Sequence, residues 1–166
     1  MAMTTWVLRG IEEGDAPAIL LLARSLDKWF NQEGLEKMSR DLVSHGGFVA
    51  VREDRVLGFV TWAPSDDETA NLTWMGVAED LQRTGIGRAL VKALVRDLRA
   101  RGVHTLEVST VADSVDYEPY AQTRHFYRAM GFVDHRVDPK YYGTGDDRYD
   151  RLVLRLALPE MDPTSG

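Results

Sequence analysis

The stretch from Leu72 to Val111 limits the fold more than any other part of this chain. The β-forming residues Leu72–Val77 lead through a polar segment and two glycines, Gly85 and Gly87, into an amphipathic run with Ile86, Leu90, Leu94 and Leu98 four apart. Gly102 stops that run, and Thr105–Val111 returns to β-branched and apolar residues. A strand, a helix over about Gly85–Arg101 and a second strand, in that order, predict a parallel pair joined by a crossover helix.

The flanks add antiparallel neighbours. Trp6–Arg9 reads as a strand, and Asp15 before Ala16 and Pro17 reads as the cap of a helix carrying Ile19, Leu22, Ala23, Leu26 and Phe30, broken at Asn31 and Gly34. A second short helix places Leu35, Met38 and Leu42 on one side and stops at Gly46 and Gly47. Phe48–Val51 and Val56–Trp62 form a hairpin across Glu53 and Asp54, followed by an acidic loop, Pro64–Glu68. Beyond the crossover, a helix over about Tyr120–Met130 ends at Gly131 and two strands follow, Phe132–Val137 and Leu152–Leu158. The expected order β, α, α, β, β, β, α, β, α, β, β is an α+β arrangement on a mixed sheet. One domain over residues 1–158 is expected, with a polar tail over 159–166.

The 166 residues are 44% hydrophobic and 28% charged, ordinary globular usage, and a chain of this size buries about 70% of its unfolded surface without staples. Zero cysteines exclude thiolate nucleophiles, disulfide frameworks and Cys-based zinc sites. His45, His104, His125 and His135 show no ligand spacing and read as ordinary surface or helix histidines, so no metal is expected. A net charge of −6 disfavours a nucleic acid partner and suits a cationic acceptor. No apolar run approaches the roughly 18 residues of a membrane span, and Met1–Trp6 lacks a basic-then-apolar leader pattern. A cytoplasmic protein without membrane partners is expected, and exposed sheet edges make a homodimer plausible.

The segment between strand and crossover helix carries the chemistry. A helix start exposes unpaired N–H groups at its positive end, where anions bind readily. Gly85 and Gly87 remove Cβ atoms where a phosphate would touch main chain, and Arg83 and Arg88 add charge. Two glycines alone equally suit a tight turn. No lysine follows either glycine, so a Walker loop is excluded. A dinucleotide fingerprint fails because Leu90 stands where a small residue is needed and seven residues separate Val77 from Gly85, although Glu107 lies at the distance of a ribose-binding acid.

Gln82-Arg83-Thr84-Gly85-Ile86-Gly87 resembles the coenzyme A loop of the GCN5-related N-acetyltransferase (GNAT) family, Gln/Arg-x-x-Gly-x-Gly/Ala, and Tyr127-Arg128-Ala129-Met130-Gly131-Phe132 resembles its Tyr-x-x-x-Gly-Phe segment. The likeness extends over about Trp6–Leu158. It implies an α/β/α layered α+β fold whose mostly antiparallel sheet contains a splayed parallel pair, with helices on both faces. It also implies acetyl transfer from acetyl-CoA to a primary amine of a small molecule, peptide or protein by direct attack. Pantetheine would then pair with main chain at Met75, Gly76 and Val77, and the pyrophosphate would rest on Gln82, Arg83, Thr84, Gly85, Ile86, Gly87 and Arg88, with Lys92 near the 3′-phosphate. Tyr127 would stand beside the sulfur as general acid.

Glu107, which alternates with Leu106 and Val108, is the first candidate base, with Glu68, Asn71, Asp116 and Glu118 as competitors. By the same resemblance Trp29, Phe30, Glu68, Tyr117, Tyr141 and Tyr142 would surround the acceptor, aromatic and acidic chemistry that suits a cation. Where the family often has asparagine and alanine, seven and four residues before the tyrosine, this chain has Tyr120 and Thr123. A non-catalytic acyl-CoA-binding or regulatory module is the alternative reading.

Overall fold

The computed structural model describes residues 5–160; the leader reading at residues 1–4 and the tail reading at 161–166 lie outside the described residues. In chain order the elements are β1 (Val7–Gly10), α1 (Ala16–Ser25), α2 (Gln32–Asp41), β2 (Gly46–Arg52), β3 (Arg55–Pro64), β4 (Thr69–Val77), α3 (Ile86–Ala100), β5 (Thr105–Val111), α4 (Glu118–Ala129), β6 (Val133–Thr144) and β7 (Asp147–Ala157). That is the expected order, supplemented by 3₁₀ turns at Glu13–Asp15 and Glu79–Leu81. Among the described residues no helix is long and apolar enough to cross a membrane.

The chain forms two compact units: residues up to Ala63 with Thr73–Asp97, and Pro64–Leu72 with residues from Leu98 on. In the first, the strands run β1-β2-β3-β4. β1 and β2 are antiparallel, Val7 opposite Val51, and β2 and β3 are antiparallel with a bulge at Ala50/Val51. Ile19 and Ala23 of α1, Met38 of α2, Val49 of β2 and Phe59 of β3 form its fully buried core, with Phe30, Leu35, Leu42 and Trp74 packed against it. The 3.6-residue period in α1 and α2 thus delivers the expected apolar faces.

Two local expectations change. Asp15 does not cap α1 through its side chain; its carboxylate instead takes the Arg9 guanidinium at 2.7 and 2.8 Å and the Glu12 N–H at 2.7 Å. Helix α1 also ends at Ser25 rather than reaching Phe30, because the chain tightens into turns in which the amides of Trp29 and Phe30 both bond to the Leu26 carbonyl. Asn31 does act at the break, as the N-cap of α2, its Oδ1 accepting from the Gly34 amide at 2.8 Å.

In the second unit the strands run β4-β5-β7-β6. β4 and β5 are the predicted parallel pair, in register from Thr69 opposite Thr105 to Leu72 opposite Val108. β5 pairs antiparallel with β7, and β6 with β7 through a hairpin bulged near Asp134 and between Asp138 and Tyr142. This hairpin is longer than predicted at both strands.

Candidate active site

In the first unit, β4 ends at Val77 and the chain turns through Glu79–Leu81 before α3 begins at Ile86. The parallel register stops at Leu72, five residues before the end of β4. Gly76 lies where any Cβ would stand 2.9 Å from both Leu26 Cδ1 and Phe59 Cε1, so packing beneath β4 demands glycine. Gly58 plays the matching part on β3: a Cβ there would stand 3.1 Å from the Gly76 carbonyl, Ile86 and Leu90, so the missing side chain lets α3 approach the sheet closely.

The turn itself is pinned at several points. Gln82 Nε2 donates to the Val77 carbonyl at 3.2 Å, the Thr84 hydroxyl to the Leu81 carbonyl, Lys28 pairs with Glu79, and Arg55 with Asp80 at 3.5 Å. Arg83 and Gly85 adopt left-handed φ values of 67° and 97°. A Cβ on Gly85 would meet nothing within 4 Å, so it is the backbone angle and not crowding that favours glycine. The first backbone bond of α3 runs from the Ala89 amide to the Gly85 carbonyl at 3.0 Å. The three amides before it, of Ile86, Gly87 and Arg88, belong to the open first turn, where a helix offers its positive end to an anion. Arg83 and Arg88 are exposed at this turn. The turn thus combines a left-handed glycine, a helix start and two exposed arginines. Trp29 and Phe30 are half-buried in the same unit, and Phe30 packs tilted on Trp74 with ring centroids 6.1 Å apart.

In the second unit, Tyr127 is 6% exposed on α4, its ring edge-on to Phe126 and Phe132 at 5.4 and 5.5 Å. Burial pushes its phenol well above the usual value. On β5, Leu106 and Val108 are buried, and Glu107 points the other way, its Oε1 accepting from Arg155 Nε of β7 at 3.0 Å. Glu68 is exposed in the acidic loop; its carbonyl takes the amides of His104 and Thr105. Tyr117 meets Tyr120 edge-on at 4.8 Å, and Tyr142 meets Tyr141 edge-on at 5.1 Å. Burial pushes the Tyr142 phenol up to about 12.

Sequence reasoning missed several partners. Arg155 beside Glu107 is one; Arg151, whose guanidinium lies 3.6 Å over the Tyr141 ring and bonds to Asp138 at 2.8 Å, is another. These partners are 10 to 48 positions apart in sequence and leave no local signal. His45, read as an ordinary histidine, is half-buried and bonded to Thr73.

A family profile described as an acetyltransferase (GNAT) domain matches residues 44–134. The [ribosomal protein bS18]-alanine N-acetyltransferase of Escherichia coli K12 is 33% identical over 91 residues, 55% of this chain and 57% of that protein, so the match spans somewhat over half the relative's length. Among solved structures, a GNAT-family protein from Desulfovibrio desulfuricans superposes with a TM-score of 0.81 at 24% identity, over 93% of this chain and 100% of that one. A GNAT family acetyltransferase from Elizabethkingia anophelis with acetyl-CoA bound gives 0.70 at 19% identity, over 92% and 98%. At these identities the structural likenesses establish the fold.

Proposed function

The chain belongs to the GNAT acetyltransferase family, and from that membership we propose that residues 1–158 act as one transferase, moving an acetyl group from acetyl-CoA to a primary amine by direct attack. The observation that carries the proposal is the turn into α3, with left-handed Gly85, the open amides of Ile86–Arg88 and the two exposed arginines. Such a turn suits a pyrophosphate, and the acetyl-CoA bound by the Elizabethkingia anophelis structure is a carrier of that chemistry.

The reaction needs a deprotonated amine, a polarised carbonyl and a proton for the departing thiolate. In our reading the nitrogen attacks the thioester carbon, the new C–N bond forms as the C–S bond breaks, and the Tyr127 phenol gives its proton to sulfur. Main chain at Met75–Val77 aligns the pantetheine arm, and the Val77 N–H polarises the carbonyl. Glu107, oriented by Arg155, takes a proton from the nitrogen. Trp29, Phe30, Glu68, Tyr117 and Tyr142 supply the aromatic and acidic groups that attract a cationic amine. The relative named for alanine of a ribosomal protein makes a peptide α-amine the first acceptor to try.

The test is thiol release from acetyl-CoA against peptides with N-terminal alanine, amino acids, polyamines and aminoglycosides, with calorimetric titration of coenzyme A alongside. Turnover of one amine class supports the proposal; absence of binding heat with coenzyme A ends it.

A further inference from the structure

A polar chain in the first unit has no part in the steps above. Thr61, fully buried on β3, and Thr73 on β4 bring their hydroxyls to 2.7 Å. The Thr73 hydroxyl is also 3.0 Å from His45 Nδ1, in the segment between α2 and β2. The opposite ring nitrogen, Nε2, lies 3.8 Å from Asp41 Oδ1 at the end of α2, while the other Asp41 oxygen accepts from the Trp74 indole at 2.8 Å. With hydrogen on Nε2, the side nearer Asp41, His45 Nδ1 accepts from the Thr73 hydroxyl, and Thr73 can accept from Thr61, whose hydroxyl also lies 3.4 Å from the Trp74 carbonyl. His45 and Asp41 side chains keep 16% and 24% of their surfaces exposed, so the chain runs from a buried hydroxyl toward water. Asp41 is the charged group facing His45; Thr61 and Thr73 on the neighbouring strands are neutral.

Acetylating an ammonium removes two protons from its nitrogen. One ends on the thiol and the other must reach solvent. On β4, Thr73 and Met75 share a side-chain face, two residues or about 7 Å apart along the strand. We propose that Thr73, His45 and Asp41 form the relay that carries the solvent-bound proton. Thr73 Oγ1 takes a proton from the acceptor ammonium as its own hydrogen passes to His45 Nδ1. Asp41 stabilises the resulting imidazolium, which releases a proton to water. Thr73 is the residue that touches the acceptor, and His45 and Asp41 act through it. This inference rests on the transferase reading.

The experiment compares kcat and kcat/KM against pH for the wild type, Thr73→Val, Thr73→Ser and His45→Gln on the amine found in the thiol-release panel, with coenzyme A calorimetry on each. The expected result is a kcat lower by roughly 10- to 100-fold in Thr73→Val, with unchanged coenzyme affinity, recovery to within a few-fold in Thr73→Ser, and an acidic limb that moves or vanishes in His45→Gln. Should His45→Gln fail to fold, the Val and Ser pair at Thr73 decides. The relay is overturned if Thr73→Val and His45→Gln keep the wild-type kcat and acidic limb, or if Ser restores nothing. A wild type that binds no coenzyme, or binds it and turns over no amine, overturns the transferase reading and the relay with it, whereas a wild type that turns over an amine while Thr73→Val and His45→Gln match its kcat and acidic limb overturns the relay alone.

Discussion

At Tyr127 two demands meet in one side chain. The ring is packed edge-on between Phe126 and Phe132 like a core aromatic, and the same burial holds the phenol in its protonated form across the neutral range. Tyr127→Phe keeps the ring and removes only the hydroxyl. It should therefore leave coenzyme A affinity unchanged in calorimetry and lower turnover in the thiol-release assay by roughly 100-fold or more; equal turnover would remove Tyr127 from the chemistry. Alternation on β5 was enough to predict that Glu107 faces away from Leu106 and Val108. Its partner Arg155 was not predictable, because it arrives from β7, 48 positions later, through strand pairing alone. His45 is the stronger case of the same kind. Nothing beside it in sequence marks it, and its hydroxyl partner is 28 positions away.

Among the elements, the turn into α3 was the most readable because its needs are local: a left-handed angle, small residues and a helix start. Gly85→Val would force a β-branched residue to φ near 97°, so it should weaken coenzyme A binding by roughly tenfold or more, read by titration calorimetry. Gly76 is constrained differently, by Leu26 and Phe59 beneath it. Gly76→Ala should lower stability by about 1–3 kcal/mol in urea unfolding, as overpacking in a filled core does. The β6–β7 hairpin escaped prediction. Its outer parts, beyond Val137 and before Leu152, are mostly exposed and lack alternating apolar residues. Their pairing, Tyr142 opposite Tyr149 and Thr144 opposite Asp147, is held by backbone bonds, a tight turn and the stacking of Arg151 on Tyr141, none of which has a period.

For the molecule as a whole, several carboxylates are held by arginines 6 to 15 positions away in sequence. Arg9 holds Asp15 below the usual carboxylate range, Arg128 does so for Asp113, and Arg151 for Asp138. A depressed folded-state value stabilises the protein above the unfolded value of about 4, and that stability disappears as pH falls through the folded value. Thermal unfolding should thus be nearly flat above about pH 5 and fall steeply below about pH 4. Asp15→Asn should destabilise by about 1–3 kcal/mol at pH 7 and lose less on acidification, since the bidentate contact with Arg9 is gone; an unchanged acid profile would contradict this assignment. What the sequence determined by itself was the order of elements, the parallel pair and the tight turn into α3, which follow from periodicity or short-range backbone needs, and the family, which follows from the resemblance of the motifs at Gln82–Gly87 and Tyr127–Phe132. Only the tertiary structure decided the partners of Glu107, Asp15 and His45, the true length of the last hairpin and the end of α1. The partners of Glu107 and His45 depend on which distant residues the sheet register and packing bring together, while the Arg9–Asp15 pair, the end of α1 and the hairpin length depend on nearer turn and side-chain contacts that have no period.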